Sequence, residues 1–245
     1  MFEHKSFRED LDIFFDKIEK EHISFTRFGD GEWTIIRKKY INLLNKDNGE
    51  FMYCPTEVAY AEPYRLLKKS LTHQAENYYV GLCCPCCAGS FEHVVMKKRS
   101  NQKIGHVTWA NLFANSNYSH FLTKITEFLK DKSVFLISNE KSNVEKFPLK
   151  VEKHYRVGSN SWLRNLDLIE TIKKDIVDSK IENSYFLFCA GPLSNIACCE
   201  LFEFNNKNTY LDCGSVFDDL IGLGKTRGYL RGSDNLSKTC VWEND

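Results

Sequence analysis

The sequence predicts an α/β protein in which a mostly parallel sheet carries helices on both faces, and three observations point there. Short apolar runs alternate with amphipathic segments of ten or more residues along most of the 245-residue chain. That alternation implies right-handed crossovers between parallel strands. Hydrophobic residues make up 42% of the chain and aromatic residues 13%, enough for a sizeable core. No repeat, low-complexity linker or break in composition divides the sequence, so residues 1–245 are expected to form a single domain.

The elements follow in order. Phe7, Leu11, Phe14, Phe15 and Ile18 recur at helical spacing with charges between them, predicting an amphipathic first helix. Residues 23–28 read as a short strand ending in Gly29-Asp30-Gly31. A second helix is predicted near Glu32, carrying Ile35, Ile36 and Leu43, and residues 45–49 form a polar loop with an Asn-Gly turn signal. Residues 60–74 are helical, with Pro63 tolerated in a first turn, and residues 78–82 form a strand running into a cysteine cluster. Phe121, Leu122, Ile125, Phe128 and Leu129 mark a helix and residues 134–137 a buried strand. Leu163, Leu166, Ile169, Ile172 and Ile176 line a further helix. Residues 185–189 form an apolar strand, followed by Ala190-Gly191-Pro192 and a helix through Phe204. Tyr210-Leu211 closes the series.

Charge and cysteine content exclude some functions. Lysine plus arginine balances aspartate plus glutamate, 33 against 33, without the basic excess of a nucleic-acid binder. The short basic runs, Lys97-Lys98-Arg99 and residues 225–231, read as solvated surface. The N-terminus lacks an apolar h-region and no run is long enough to span a bilayer, so the expected compartment is the cytoplasm, with thiols reduced. Cys83-Cys84-Pro85-Cys86-Cys87 packs four cysteines into five residues, too tight for one tetrahedral ion. The expectation is small thiols that pack or line a pocket. Gly222-Leu223-Gly224-Lys225-Thr226 fails as a phosphate loop because Asp219 stands where the first glycine is required.

In parallel sheets ligands bind beyond the carboxyl ends of the strands. Three predicted strands end in polar or acidic segments: Gly29-Asp30-Gly31-Glu32, Ser138-Asn139-Glu140 and Asp212-Cys213-Gly214. Asp30 and Glu32 lie one glycine apart; in extended or turning backbone both carboxylates face one side. Two hard oxygen donors suit Mg²⁺ or Mn²⁺, which complete their shells with water and phosphates. Arg27 is placed to pair with a phosphate or to orient a carboxylate. Asn139 and Glu140 are candidates for contacts to ribose, donor sugar or acceptor. Asp218, Asp212 and His106 are the candidate bases.

The string Phe25-Thr26-Arg27-Phe28-Gly29-Asp30-Gly31-Glu32 resembles the N-terminal signature of the small bacterial glycosyltransferases of the GT-D fold. Gly191-Pro192 with Ser194, and Leu211-Asp212-Cys213-Gly214-Ser215 with Asp218, resemble the same family more loosely; Ser215 stands where its pattern often has histidine. The resemblance spans roughly residues 23–220. It implies a Rossmann-like sheet, a Mn²⁺-type metal held through Asp30 and Glu32, and a UDP-sugar donor bound around Arg27, Gly29, Asp30, Gly31 and Glu32. It further implies a glycan, glycoprotein or lipid-linked acceptor in surface-glycan assembly, with peripheral membrane contact possible. A metal-dependent sugar-nucleotide hydrolase and a non-catalytic nucleotide-binding module are the alternatives.

Overall fold

Helix α1 (Phe7–Lys20) forms where the heptad-like spacing places it, with its apolar stripe buried through Phe7, Leu11, Phe14, Phe15 and Ile18. Ser6 caps it by accepting the Glu9 amide at 3.1 Å. The computed structural model describes residues 6–44 and 50–231; the polar loop expected at 45–49 lies outside the described residues.

Strand β1 (Ser24–Phe28) leads directly into the short helix α2 (Asp30–Ile36). Leu43 does not belong to that helix. The chain leaves α2 at Arg37 and forms a small antiparallel pair, β2 (Ile41–Asn42) with β3 (Met52–Tyr53), in which the Leu43 amide bonds the Phe51 carbonyl. Helix α3 (Ala61–Thr72) precedes β4 (Tyr78–Leu82). The one-turn α4 (Pro85–Ala88), α5 (Ser90–Ser100) and the three-residue β5 (Val107–Trp109) follow. Then come α6 (Tyr118–Leu129), β6 (Val134–Asn139) and β7 (Val151–Val157). The helix expected across Leu163 and Ile176 is two: α7 (Ser161–Arg164) and α8 (Leu168–Asp178). Asn165 separates them, its side chain accepting from the Gly158 amide rather than continuing a helix. Leu163 and Leu166 still pack against the core. Strand β8 (Tyr185–Phe188), helix α9 (Pro192–Phe204) and strand β9 (Thr209–Asp212) complete the series.

Seven strands form one sheet in the order β5-β4-β1-β9-β8-β6-β7, and every pairing is parallel. Successive residues alternate faces, so one core gathers Phe28, Val80, Ile137, Phe186 and Tyr210, and the other Phe25, Tyr79, Leu136, Leu187 and Leu211. Helix α9 is buried almost all round, wedged between the sheet and α3, as an apolar helix without a polar face must be. The neighbouring strands β1 and β9 send their following segments to opposite faces of the sheet, Trp33 and Ile36 into one core and Val216 and Ile221 into the other, and such a divergence opens a crevice beyond the strand ends. No helix among the described residues is long and apolar enough to cross a membrane.

Candidate active site at the strand carboxyl ends

A cleft of about 680 Å³ opens over the carboxyl ends of β1, β9 and β8, and its size suits a small-molecule ligand. Arg27, Gly29, Asp30 and Glu32 line it from the first strand and turn. Asp212, Gly214 and Asp218 line it after β9, and Asn139 from the end of β6. The expected convergence of these strand ends is therefore found, with three exceptions. Glu140 lies outside, because the residue after Asn139 points to the other face and sits exposed. Gly31 is buried behind the wall, where a Cβ would meet Phe51 Cζ at 2.6 Å; its role is to let Phe51 close against the turn. His106 stands at the amino end of β5, remote from the cleft end of the strands. Its Nδ1 meets the Tyr78 carbonyl at 3.1 Å and its ring stacks on Tyr79, a structural place and not a base's.

The acidic turn is built differently from the extended geometry that sequence spacing implied. Gly29 is the N-cap of α2, Asp30 its first residue and Glu32 its third. Glu32 turns back so that Oε2 accepts the Gly29 amide at 3.1 Å, while Asp30 is exposed at the cleft edge. Burial, with Asp212 and Asp30 nearby, pushes the Glu32 carboxyl up to about 7.

Asp212 holds Arg27. Its Oδ2 accepts the Arg27 amide at 3.0 Å, while Oδ1 accepts the Gly214 amide at 3.1 Å and faces Arg27 Nη2 at 3.4 Å. Arg27 Nη1 donates to the Ala110 carbonyl at 3.1 Å, and Asn195 on α9 donates to the Arg27 carbonyl at 2.6 Å. Gly214 has φ +54°, and a Cβ there would lie 1.7 Å from Arg27 Nη2, so only glycine fits. With its oxygens so engaged, Asp212 holds Arg27 in place. Burial lifts its carboxyl above the usual range despite the arginine beside it.

Asp218 differs. Its Oδ2 accepts from Thr226 Oγ1 at 2.5 Å, and burial pushes its carboxyl up to about 6. The segment after it folds over the cleft: Leu223, Thr226, Arg227 and Tyr229 all line the wall. That corrects the expectation of a solvated basic run, at least for Arg227, which pairs with Glu50. Tyr229 hydroxyl meets Ser215 Oγ at 2.9 Å. Of the clustered cysteines, Cys83 and Cys84 are buried and Cys83 and Cys87 line the cleft, as expected of thiols that pack or line a pocket; the sulfurs of Cys84, Cys86 and Cys87 also lie within 4.8 Å of one another.

The charge pattern of the lining is the most informative feature. It contains six carboxylates (Asp30, Glu32, Glu50, Glu92, Asp212, Asp218) and three arginines. Each arginine is paired: Arg27 with Asp212, Arg37 with Glu92 at 2.8 Å, and Arg227 with Glu50. Asp30, Glu32 and Asp218 have no salt bridge among the described residues. Sequence reasoning missed Glu50, Arg37, Glu92 and Tyr229, since their partners lie far away along the chain.

No family model matches the chain, and no curated protein matches it. Among solved structures, the highly conserved domain of unknown function 1792, described as having a distinct glycosyltransferase fold, superposes with a TM-score of 0.56. It is 14% identical over 84% of this chain and 77% of that one. The chain has a glycosyltransferase fold. A selenomethionine-substituted structure of domain of unknown function 1792 superposes with a TM-score of 0.59, at 13% identity over 96% of this chain and 90% of its own. Within a glycosyltransferase fold the chemistry still has to be argued from the residues of the cleft.

Proposed function

We propose that this protein is a metal-dependent glycosyltransferase that moves a sugar from a nucleotide-sugar donor, a UDP-sugar by family resemblance, to an acceptor hydroxyl. The observation that carries the reading is a set of three carboxylates, Asp30, Glu32 and Asp218, that have no salt bridge among the described residues and share a cleft where β1 and β9 diverge to opposite faces. A lining this rich in unneutralised acid repels a diphosphate unless a cation accompanies it. Asp30 and Glu32 fit that cation: both are hard oxygen donors, both face the cleft, and Mn²⁺ or Mg²⁺ fills the rest of its shell with water and phosphate. When bound, such an ion stabilises the charge of a departing nucleoside diphosphate as a Lewis acid.

The chain's own residues divide the remaining work. Asp218, with its carboxyl near 6, is ionised at neutral pH yet basic enough to take the acceptor's proton, and Thr226 fixes its orientation. Arg27 is held rigid by Asp212 and forms the floor between the two acidic groups. Arg227 is half-exposed on its Glu50 partner and is the guanidinium best placed to exchange a carboxylate for a phosphate. The acceptor belongs to the glycan, glycoprotein or lipid-linked class.

Thermal unfolding with UDP, with and without Mn²⁺, tests this reading. At ligand concentrations about 100 times Kd the folded state gains roughly 2.7 kcal/mol, a rise of about 5–10 °C for a chain of this length. The rise should require Mn²⁺ and vanish in Asp30→Ala. No shift with any nucleotide would refute the site. UDP release that ignores added acceptor would make the protein a hydrolase, and binding without turnover a nucleotide-binding module.

A further inference from the structure

We propose that Cys84, Cys86 and Cys87 form a three-thiolate site for a zinc-type ion at the rim of the cleft. The inference is independent of the transferase reading and concerns a different class of ligand. Cys84 is the residue before α4, and the amides of Cys87 and Ala88 bond its carbonyl at 3.1 and 3.0 Å. This single turn, opened by Pro85, brings residues three apart onto one side and folds Cys86 in beside them. Cys84 Sγ and Cys86 Sγ lie 2.9 Å apart, Cys86 Sγ and Cys87 Sγ 4.0 Å, and all three sulfurs lie within 4.8 Å of one another. A tetrahedral zinc with bonds of about 2.3 Å holds its sulfurs about 3.8 Å apart, between those separations. Cys83 takes no part, because its thiol turns to the Phe28 carbonyl.

A second observation points to charged sulfur. Asn111, in the loop after β5, aims its amide Nδ2 at two of the three atoms, 3.6 Å from Cys87 Sγ and 3.9 Å from Cys84 Sγ. Amide donors directed at sulfur are the outer support that metal-bound thiolates use. Sulfur ligands select zinc over Mn²⁺ and Mg²⁺, which prefer oxygen, so this site and the carboxylate pair would not compete for one ion. Binding releases the thiol protons to solvent. Cys87 and Asn111 both line the cleft, so an ion here ties the turn after β4 to the loop after β5 and stiffens the wall between them.

The test is metal analysis of the full chain purified under reducing conditions, followed by chelation and titration with Zn²⁺ or Co²⁺. The expected result is about one zinc per chain and a Co²⁺ complex with intense sulfur-to-metal charge-transfer absorption. The double variant Cys86→Ser/Cys87→Ser should lose at least about 100-fold in affinity while its circular dichroism stays that of a folded chain. The double variant Asp30→Ala/Glu32→Ala should keep the zinc, which separates this site from the proposed donor site. Absence of charge-transfer absorption in the wild-type Co²⁺ complex would overturn the proposal. So would recovery of Cys84 and Cys86 as a disulfide from anaerobically handled protein.

Discussion

Replacing Asp212 by alanine tests whether the floor of the cleft is held as described. The change strips Arg27 of its amide acceptor at 3.0 Å and its guanidinium partner at 3.4 Å, and the Gly214 amide of its acceptor at 3.1 Å. Both side chains are sheltered, 14% exposed for Arg27 and 5% for Asp212, so water from the cleft replaces only part of what is lost. Breaking a buried pair on one side leaves an uncompensated charge and costs about 3–5 kcal/mol. That is a large part of a typical folding free energy of about 5–15 kcal/mol, and it should lower Tm by roughly 6–20 °C. Removing both charges together in Arg27→Met/Asp212→Leu should recover most of the loss, because no unpaired ion remains. Urea unfolding of wild type, both singles and the double gives the coupling energy directly, provided the m-value stays constant. A loss below about 1 kcal/mol for Asp212→Ala, or a double variant as unstable as the sum of the singles, would refute the claim that Asp212 exists to hold Arg27.

Three further outcomes follow from the same geometry. Glu32 has a carboxyl raised from 4.5 to about 7, so the folded chain holds its proton where the unfolded chain has lost it. Its stabilising contribution is complete below about 4.5 and disappears as pH rises through about 7; Glu32→Gln should flatten that fall by on the order of 2 kcal/mol in metal-free urea titrations. Asp218→Asn should lower turnover about 10²–10⁴-fold while leaving metal-dependent UDP binding intact; in Thr226→Val, which removes a donor to the carboxylate, the acid limb of kcat/KM should move above about 6. Gly31→Ala forces a methyl to within 2.6 Å of Phe51 Cζ and should cost about 1–3 kcal/mol, measured by thermal unfolding and relieved when Phe51 is shortened to leucine.

Much of the fold was legible in the sequence because its buried strands are apolar runs and its helices keep their stripes. Strand β7 was not: as an edge strand it buries only Tyr155 and Val157, and four of its other five positions are the charged or polar Glu152, Lys153, His154 and Arg156. Strand β5, three residues long, gives too little pattern to register. Missing it also misplaced His106, since a residue's distance from a parallel-sheet site depends on which end of the strand it occupies. The pairings that decide the cleft's charge were invisible for another reason. Arg27 and Asp212 stand 185 positions apart, and Arg227 pairs with Glu50 from the opposite end of the chain. No local spacing encodes such contacts; only the order of strands brings them together.

The acidic turn reaches the cleft by a geometry other than the one its spacing implied. Sequence spacing put Asp30 and Glu32 in extended backbone, where alternate residues share a side. Helix α2 starts at Asp30, and at about 100° per residue its first and third side chains leave the axis roughly 200° apart. They line one cleft because Glu32 folds back beneath Gly29, with one oxygen engaged by that amide, while Asp30 stands open at the first helical position. The two acids are therefore unequal. Glu32 is oriented by the Gly29 amide, with burial raising its carboxyl to about 7, whereas Asp30 is exposed at the cleft edge. On the proposed reading, Glu32 is the carboxylate already fixed in place and Asp30 the one that would adjust to an ion.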